Sequence, residues 1–299
     1  MEAFVTGATG FIGSRIVRRL LAAGSEVTVL VRAGSNTVRI ADVLSDVRQI
    51  DGDVRATDSF AHLLRPFDTC IHSAWYAEPG KYLRSPENGQ LVGATLELAQ
   101  RLVSAGCGRF VGVGTCYEYD TGTGLLTEDS PTQPTTPYAA AKLATATALR
   151  RVPDLETAWI RLFWQYGPYE DERRLVPAIV TALLREHRAA STSGHQVRDF
   201  LHVDDVAAAV VAVANSQATG VVNVGSGKPV TVRHVVEAIG AATGRADLLD
   251  IGGLQQADGE PEVVYADNQR LRSLGWTASY GLAEGIADTV QWWRSRFGM

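Results

Sequence analysis

The chain is expected to adopt an α/β fold of the Rossmann type: a doubly wound parallel sheet with a smaller interleaved C-terminal substrate lobe. Three observations predict it. Short apolar runs alternate with helical patterns through the first half. A glycine-rich turn stands directly between the first apolar run and the first helical one. The candidate strands are apolar along most of their length, as in a sheet covered on both faces.

Ala3-Phe4-Val5-Thr6 reads as the first strand, and the helical pattern at 10–23 ends at Gly24. Glu26–Val31 is the second strand, residues 47–53 the third and 68–72 the fourth. A helix over 88–105 leads to a fifth strand at 109–113, a loop to Pro137, a helix from Tyr138 and a strand at 158–162. After Gly167-Pro168 the pattern changes. Helices are expected near 175–186 and 206–215, a strand at 220–225, a helix after Thr231 and a Trp-rich helix around 290–296. No repeat, low-complexity tract or long linker intervenes, so the two lobes should interleave. The dinucleotide-binding unit is placed at 1–165, with a return segment at about 198–225. Residues 166–197 and 226–299 are assigned to the substrate lobe.

With 299 residues and 45% hydrophobic content, the chain can bury one large unit or two joined lobes. It opens directly into the first strand, without a charged, apolar and small-residue leader, and no apolar run reaches the roughly 20 residues of a membrane span. A cytoplasmic protein with no membrane partner is expected. A net charge of −5 argues against nucleic acid as a partner, because that needs a basic surface. The three Cys residues lack CxxC spacing and the six His are scattered, so no metal is expected. Cys70, in an apolar run, reads as a small core residue. Lys is scarce: Lys81, Lys142 and Lys228 are the only three.

Gly7, Gly10 and Gly13 follow the first strand and open the first helix, with Phe11 and Ile12 in the same turn. Glycine there lets the backbone approach a pyrophosphate, which rests on the positive helix N-terminus. The second strand ends in Val31-Arg32 with no acid at 31–35. An acid there would hold a free ribose 2′-hydroxyl, whereas Arg32 suits a 2′-phosphate. NADP(H) is therefore favoured, NAD(H) is possible, and Arg32 as a solvated surface residue is the alternative. Asp53 and Val54 follow the third strand, where an adenine amino group would be reached.

Tyr138 and Lys142 stand at i and i+4 on one helix face, with Thr136 as N-cap and Pro137 in the first turn. Ketone reduction needs a proton for the developing alkoxide. Bringing a Tyr from pKa 10 to near 7 takes roughly 4 kcal/mol of phenolate stabilisation, which a nearby ammonium provides. Thr115, closing the fifth strand, is placed to hydrogen-bond a carbonyl oxygen. The alternative is a surface Tyr–Lys pair on an Ala-rich helix.

Together with Ile71-His72-Ser73-Ala74, Gly114-Thr115-Cys116-Tyr117-Glu118-Tyr119, Tyr166-Gly167-Pro168, residues 197–205, Asn223-Val224-Gly225-Ser226-Gly227 and Leu274-Gly275-Trp276, these motifs resemble the extended short-chain dehydrogenase/reductase family of sugar-nucleotide epimerases, dehydratases and reductases. The resemblance covers nearly the whole chain. It implies a catalytic Thr115, Tyr138 and Lys142, with Tyr138 and Lys142 also touching the cofactor, and Ala74 beside it. It implies a nucleotide-diphosphate sugar as ligand, with Thr115, Cys116, Trp164 and Arg198 at the substrate. Arg198 would contact the diphosphate, against the alternative of an ion pair with Asp199 or Asp204. Trp164 is either a sugar platform or a core residue. Asp204 and Asp205 read as helix caps. A homodimer through the helices near 90–105 and 138–150 is also implied.

Departures from the family pattern narrow the reaction. Cys116 and Tyr117 stand where 4,6-dehydratases carry Asp and Glu, and Glu118 lies one step out of register for a decarboxylase, so on a strand it would face the other way. It is therefore expected to be structural, the alternative being a local bend that brings it back. Trp164 replaces the usual Asn, and Ala257-Asp258-Gly259-Glu260 lacks the Arg that often gives a second phosphate contact. The expected activity is NADPH-dependent reduction of a nucleotide-linked 4-keto-6-deoxyhexose. The alternatives are a nucleotide-sugar 4-epimerase holding NAD and a non-catalytic nucleotide-binding protein.

Overall fold

The computed structural model describes residues 1–256 and 259–299. Its centre is a seven-stranded sheet formed by β1 (Glu2–Thr6), β2 (Glu26–Val31), β3 (Arg48–Asp51), β4 (Thr69–His72), β5 (Arg109–Thr115), β6 (Glu156–Leu162) and β7 (Gly220–Val224). The spatial order is β7-β6-β5-β4-β1-β2-β3, every pair parallel. Strand order reverses between β1 and β4, which opens a crevice at the carboxyl ends of those strands.

Both faces of the sheet are covered, which is why its strands are apolar on both sides. On one face α1 (Phe11–Ala22) packs against α5 (Val203–Asn215), over Val5, Val29, Ile71, Val111 and Ile160. On the other, α2 (Glu87–Ser104) packs against α3 (Pro137–Leu149), over Phe4, Leu30, Cys70, Phe110 and Trp159. Cys70 is fully buried, as its apolar run implies.

A third core belongs to α4 (Leu175–Leu184), α6 (Val232–Thr243) and, after the short α7 (Gln269–Ser273), α8 (Leu282–Phe297). Helix α8 starts eight residues before the expected Trp-rich segment. Within it, a Cβ on Gly285 would lie 2.2 Å from the Tyr166 hydroxyl. The glycine serves helix packing and does not break the helix.

Short pairings tie the later chain to the sheet edge. Val197–His202 runs between Trp164–Tyr166 and Pro229–Thr231, outside the main sheet. Ala189–Ser191 pairs with Leu249–Ile251, and Leu125–Leu126 with Tyr265–Ala266. Asp199, fully buried, accepts hydrogen bonds from the backbone N–H groups of Ser226, Gly227 and Ala266, and so pins three segments together. Asp204 and Asp205 do not cap α5. His202 is the N-cap residue, and Asp205 instead accepts from Ser279 N at 2.8 Å and Tyr280 N at 3.0 Å. The cap position is already filled, which frees the first-turn carboxylate to anchor the C-terminal segment.

Candidate active site

The glycine turn lies at the β1/β4 crevice. Gly7 has φ +72°, and a Cβ on it would stand 2.6 Å from the Ala74 N after β4. A Cβ on Gly13 would stand 2.0 Å from the Gly7 carbonyl oxygen. The backbone can fold this tightly only with glycine at both positions. Helix α1 begins with Gly10 as N-cap, no side-chain cap and no acid in its first turn. Its leading N–H groups therefore remain available to an anion, so the turn, with Phe11 and Ile12, fits a dinucleotide pyrophosphate.

His72 braces this crevice from beneath. Its Nδ1 lies 2.8 Å from the Thr6 hydroxyl and its Nε2 3.1 Å from the Thr95 hydroxyl. Burial first, and the neighbouring Lys142 charge second, push its pKa down to about 3. The ring is neutral and joins β1, β4 and α2.

At the outer end of the crevice Arg32 is exposed and makes no salt bridge with a described carboxylate. Asp53, expected near the adenine, has both oxygens engaged by Arg55, at 2.7 and 3.1 Å. Val54 beside it is buried.

Thr115, Tyr138 and Lys142 converge where β5 meets α3. Thr136 caps α3, accepting from Ala139 N at 3.2 Å, with Pro137 in the first turn. This sets Tyr138 at the helix start, on the side of α3 that faces Thr115. Burial raises the phenol pKa, so Tyr138 holds its proton. Lys142 is 2% exposed, donates to the Val113 carbonyl oxygen at 2.6 Å and lies 3.7 Å above the Trp75 ring. Burial pushes its pKa down to about 7, opposed by the Glu118 charge. Trp75 and Tyr82, whose ring meets that of Tyr138 edge-on at 4.9 Å, lie in a loop without a sequence signature. Only the Ser73-Ala74 run preceding Trp75 points to that loop.

Residues 116–118 do not continue the strand, contrary to expectation. Strand β5 ends at Thr115, and Cys116–Glu118 forms a 3₁₀ turn in which Thr115 and Glu118 make a capping box. Alternation of faces therefore does not apply. Glu118 folds back under the site, fully buried. It accepts from Thr115 N at 2.9 Å, from Trp159 Nε1 at 3.0 Å and from Arg161 Nε at 2.8 Å. Cys116, expected at the substrate, is 2% exposed and packs with Tyr119, Leu126, Phe163 and Val264. The turn sends its side chain into that core, and burial raises its thiol pKa.

Trp164 is half-buried, its ring edge-on to Tyr117 at 5.8 Å and 5.0 Å beneath the Arg198 guanidinium. It thus bridges two cores and the open side. Arg198 pairs with neither Asp199 nor Asp204. Its Nη2 donates to Glu260 Oε1 at 2.7 Å. Asp199 is committed to backbone N–H groups and Asp204 to Arg15, so neither carboxylate is left for it. Ala257 and Asp258, part of the segment lacking the second Arg, lie outside the described residues. Among the described residues there is no group of three or more His, Cys, Asp or Glu that could hold a metal ion, and no helix long and apolar enough to cross a membrane.

A parallel sheet with a glycine turn at its switch point and a Thr–Tyr–Lys cluster at the neighbouring strand end defines a nicotinamide-dependent enzyme of the extended short-chain dehydrogenase/reductase type. Residues 3–225 match the NAD dependent epimerase/dehydratase family, and the chain belongs to it. It is 31% identical to a UDP-glucose 4-epimerase of Mycolicibacterium smegmatis, over 99% of this chain and 99% of that one. It is 29% identical to a dTDP-glucose 4,6-dehydratase of Streptomyces niveus, over 98% and 93%. The crystal structure of DesIV, a dTDP-glucose 4,6-dehydratase from Streptomyces venezuelae with NAD and TDP bound, superimposes with a TM-score of 0.88. Identity there is 30%, covering 100% of this chain and 98% of that one.

Proposed function

We propose that this enzyme reduces a nucleotide-linked 4-keto-6-deoxyhexose to a deoxysugar nucleotide, with NADPH as the favoured reductant. The contrast at the end of β5 carries this reading. Thr115, Tyr138 and Lys142 gather for hydride-and-proton chemistry, while the next three side chains are unsuited to the proton relay of water elimination. Cys116 is buried, burial raises the pKa of Tyr117, and Glu118 is committed to Arg161.

In this reading the Thr115 hydroxyl orients the keto oxygen, and Tyr138, held protonated, donates to the developing alkoxide. Lys142, fixed between Val113 and Trp75, supports the phenolate that results. Gly7, Gly10, Phe11, Ile12 and Gly13 cradle the pyrophosphate, Val54 and Ala74 line the cofactor, and Arg32 reads the 2′-phosphate. Bound there, the nicotinamide supplies the hydride. Trp164 and Arg198 receive the nucleotide-diphosphate sugar. A homodimer through α2 and α3 completes the reading. It is supported by the small outward residues Ala140, Ala144 and Thr147 on α3, which permit close helix approach.

A second reading, a 4-epimerase retaining NAD, is favoured by the 31% identity to a UDP-glucose 4-epimerase over almost the whole chain. Nicotinamide absorbance separates the two. The purified protein is mixed with NADPH or NADH and a panel of nucleotide-linked 4-keto-6-deoxyhexoses. Stoichiometric NADPH loss, with NADH poorer and the preference erased in Arg32→Ala, is the expected result. No net loss across the panel, with NAD retained by the protein and 4-epimers formed from unreduced nucleotide sugars, would establish the epimerase.

A further inference from the structure

We propose that Glu260 is a displaceable counter-ion that occupies the anion cradle of the substrate site and so sets how strongly a ligand diphosphate binds. The inference rests on the reading of Arg198 as the diphosphate contact.

The cradle has two donors. Arg198 Nη2 donates to Glu260 Oε1 at 2.7 Å, and Gln196 Nε2 donates to Glu260 Oε2 at 3.1 Å. Both donor residues are buried, at 2% and 5% exposure, and Gln196 Oε1 has no partner among the described residues. A buried guanidinium needs a countercharge, because an unpaired charge away from water is costly. Glu260 provides it here, from a side chain that is 37% exposed. The carboxylate can therefore turn out to water, whereas the arginine cannot.

Arg198 also does not depend on Glu260 for its position. Its Nη1 donates to the carbonyl oxygens of Val197 and Glu262, at 2.9 and 3.3 Å, and its guanidinium lies over Trp164. Removing Glu260 leaves the Nη2 edge in place and open. That edge is linked to the Thr115–Tyr138 cluster through contiguous residues. Trp164 meets Tyr117, which follows Thr115 by two residues, and Tyr82 meets Tyr138. A hexose over these rings would place its diphosphate at the cradle, where phosphoryl oxygens substitute for the two carboxylate oxygens.

The energetic consequence is competition. If the cradle is free of Glu260 only part of the time, the apparent affinity falls by that fraction. A diphosphate, with more charge to offer a bidentate guanidinium, displaces the carboxylate better than a monophosphate does. The alternative, in which Glu260 merely orients Arg198, predicts the opposite sign for every substitution at 260.

Calorimetric titration of the full chain with UDP, dTDP, CDP and GDP, and with the matching monophosphates, tests this. Glu260→Ala and the milder Glu260→Gln should each tighten diphosphate binding, the former by roughly tenfold, and tighten monophosphate binding by no more than that. Arg198→Met should weaken diphosphate binding by at least that factor. Unchanged or weaker diphosphate binding in both Glu260 variants, with wild-type binding intact, would overturn the counter-ion alone. Failure of all four diphosphates to bind wild type and both Glu260 variants would overturn the diphosphate reading of Arg198, and the counter-ion with it.

Discussion

Glu118 and Arg161 form a salt bridge of 2.8 Å with their side chains 0% and 4% exposed, directly beneath Thr115. Burying both charges costs solvation that their attraction and hydrogen bonds must offset. Here the offset is thorough. Glu118 also takes the N–H groups of Thr115 and Trp159, and Arg161 stacks over the Tyr119 ring at 4.0 Å. The pair fixes the start of the turn that aims Thr115, and it removes the nearest carboxylate from proton-transfer work.

Glu118→Gln should therefore leave Arg161 buried without its countercharge and destabilise the fold by about 3–5 kcal/mol. Urea denaturation monitored by tryptophan fluorescence would measure it. A loss below about 1 kcal/mol would mean that Arg161 reaches water or another acceptor.

Tyr138→Phe removes the proton donor and keeps the ring that meets Tyr82 edge-on at 4.9 Å. Turnover should fall to background, at least about 10²-fold, with cofactor affinity nearly unchanged. Steady-state rates and cofactor titration check the two halves separately. Full activity in this variant would show that the catalytic proton comes from elsewhere.

Stability should fall across a defined pH window because of Glu170. Burial pushes its pKa from 4.5 up to about 8, and its Oε2 has no hydrogen-bond partner among the described residues. The folded state keeps the proton that the unfolded chain releases near 4.5. The contribution is thus fully present below about 4.5 and is lost as pH rises through about 8. Glu170→Gln should raise the melting temperature by several degrees at pH 9 relative to wild type, with the gain shrinking towards pH 5. A constant difference from pH 5 to 9 would exclude Glu170 as the titrating group.

What the sequence alone determined is local. A glycine turn is recognisable because only residues without a Cβ can follow its path, as the 2.0 Å clearance at Gly13 shows. Tyr138 and Lys142 are legible because helix periodicity puts i and i+4 on one face, and the Thr136-Pro137 start fixes where that helix begins. Strand and helix order through β6 followed from apolar runs for the same reason. The tertiary structure decided what depends on residues far apart in the chain. Glu118 meets Arg161 across 43 positions, Arg198 meets Glu260 across 62, and Leu125–Leu126 finds Tyr265–Ala266. No periodicity encodes such partners, because a buried charge takes whichever opposite charge the folded chain brings within reach. The burial of Cys116 was not legible for a related reason. Whether a side chain at a strand end faces ligand or core depends on the turn that follows, and that turn is closed by Glu118.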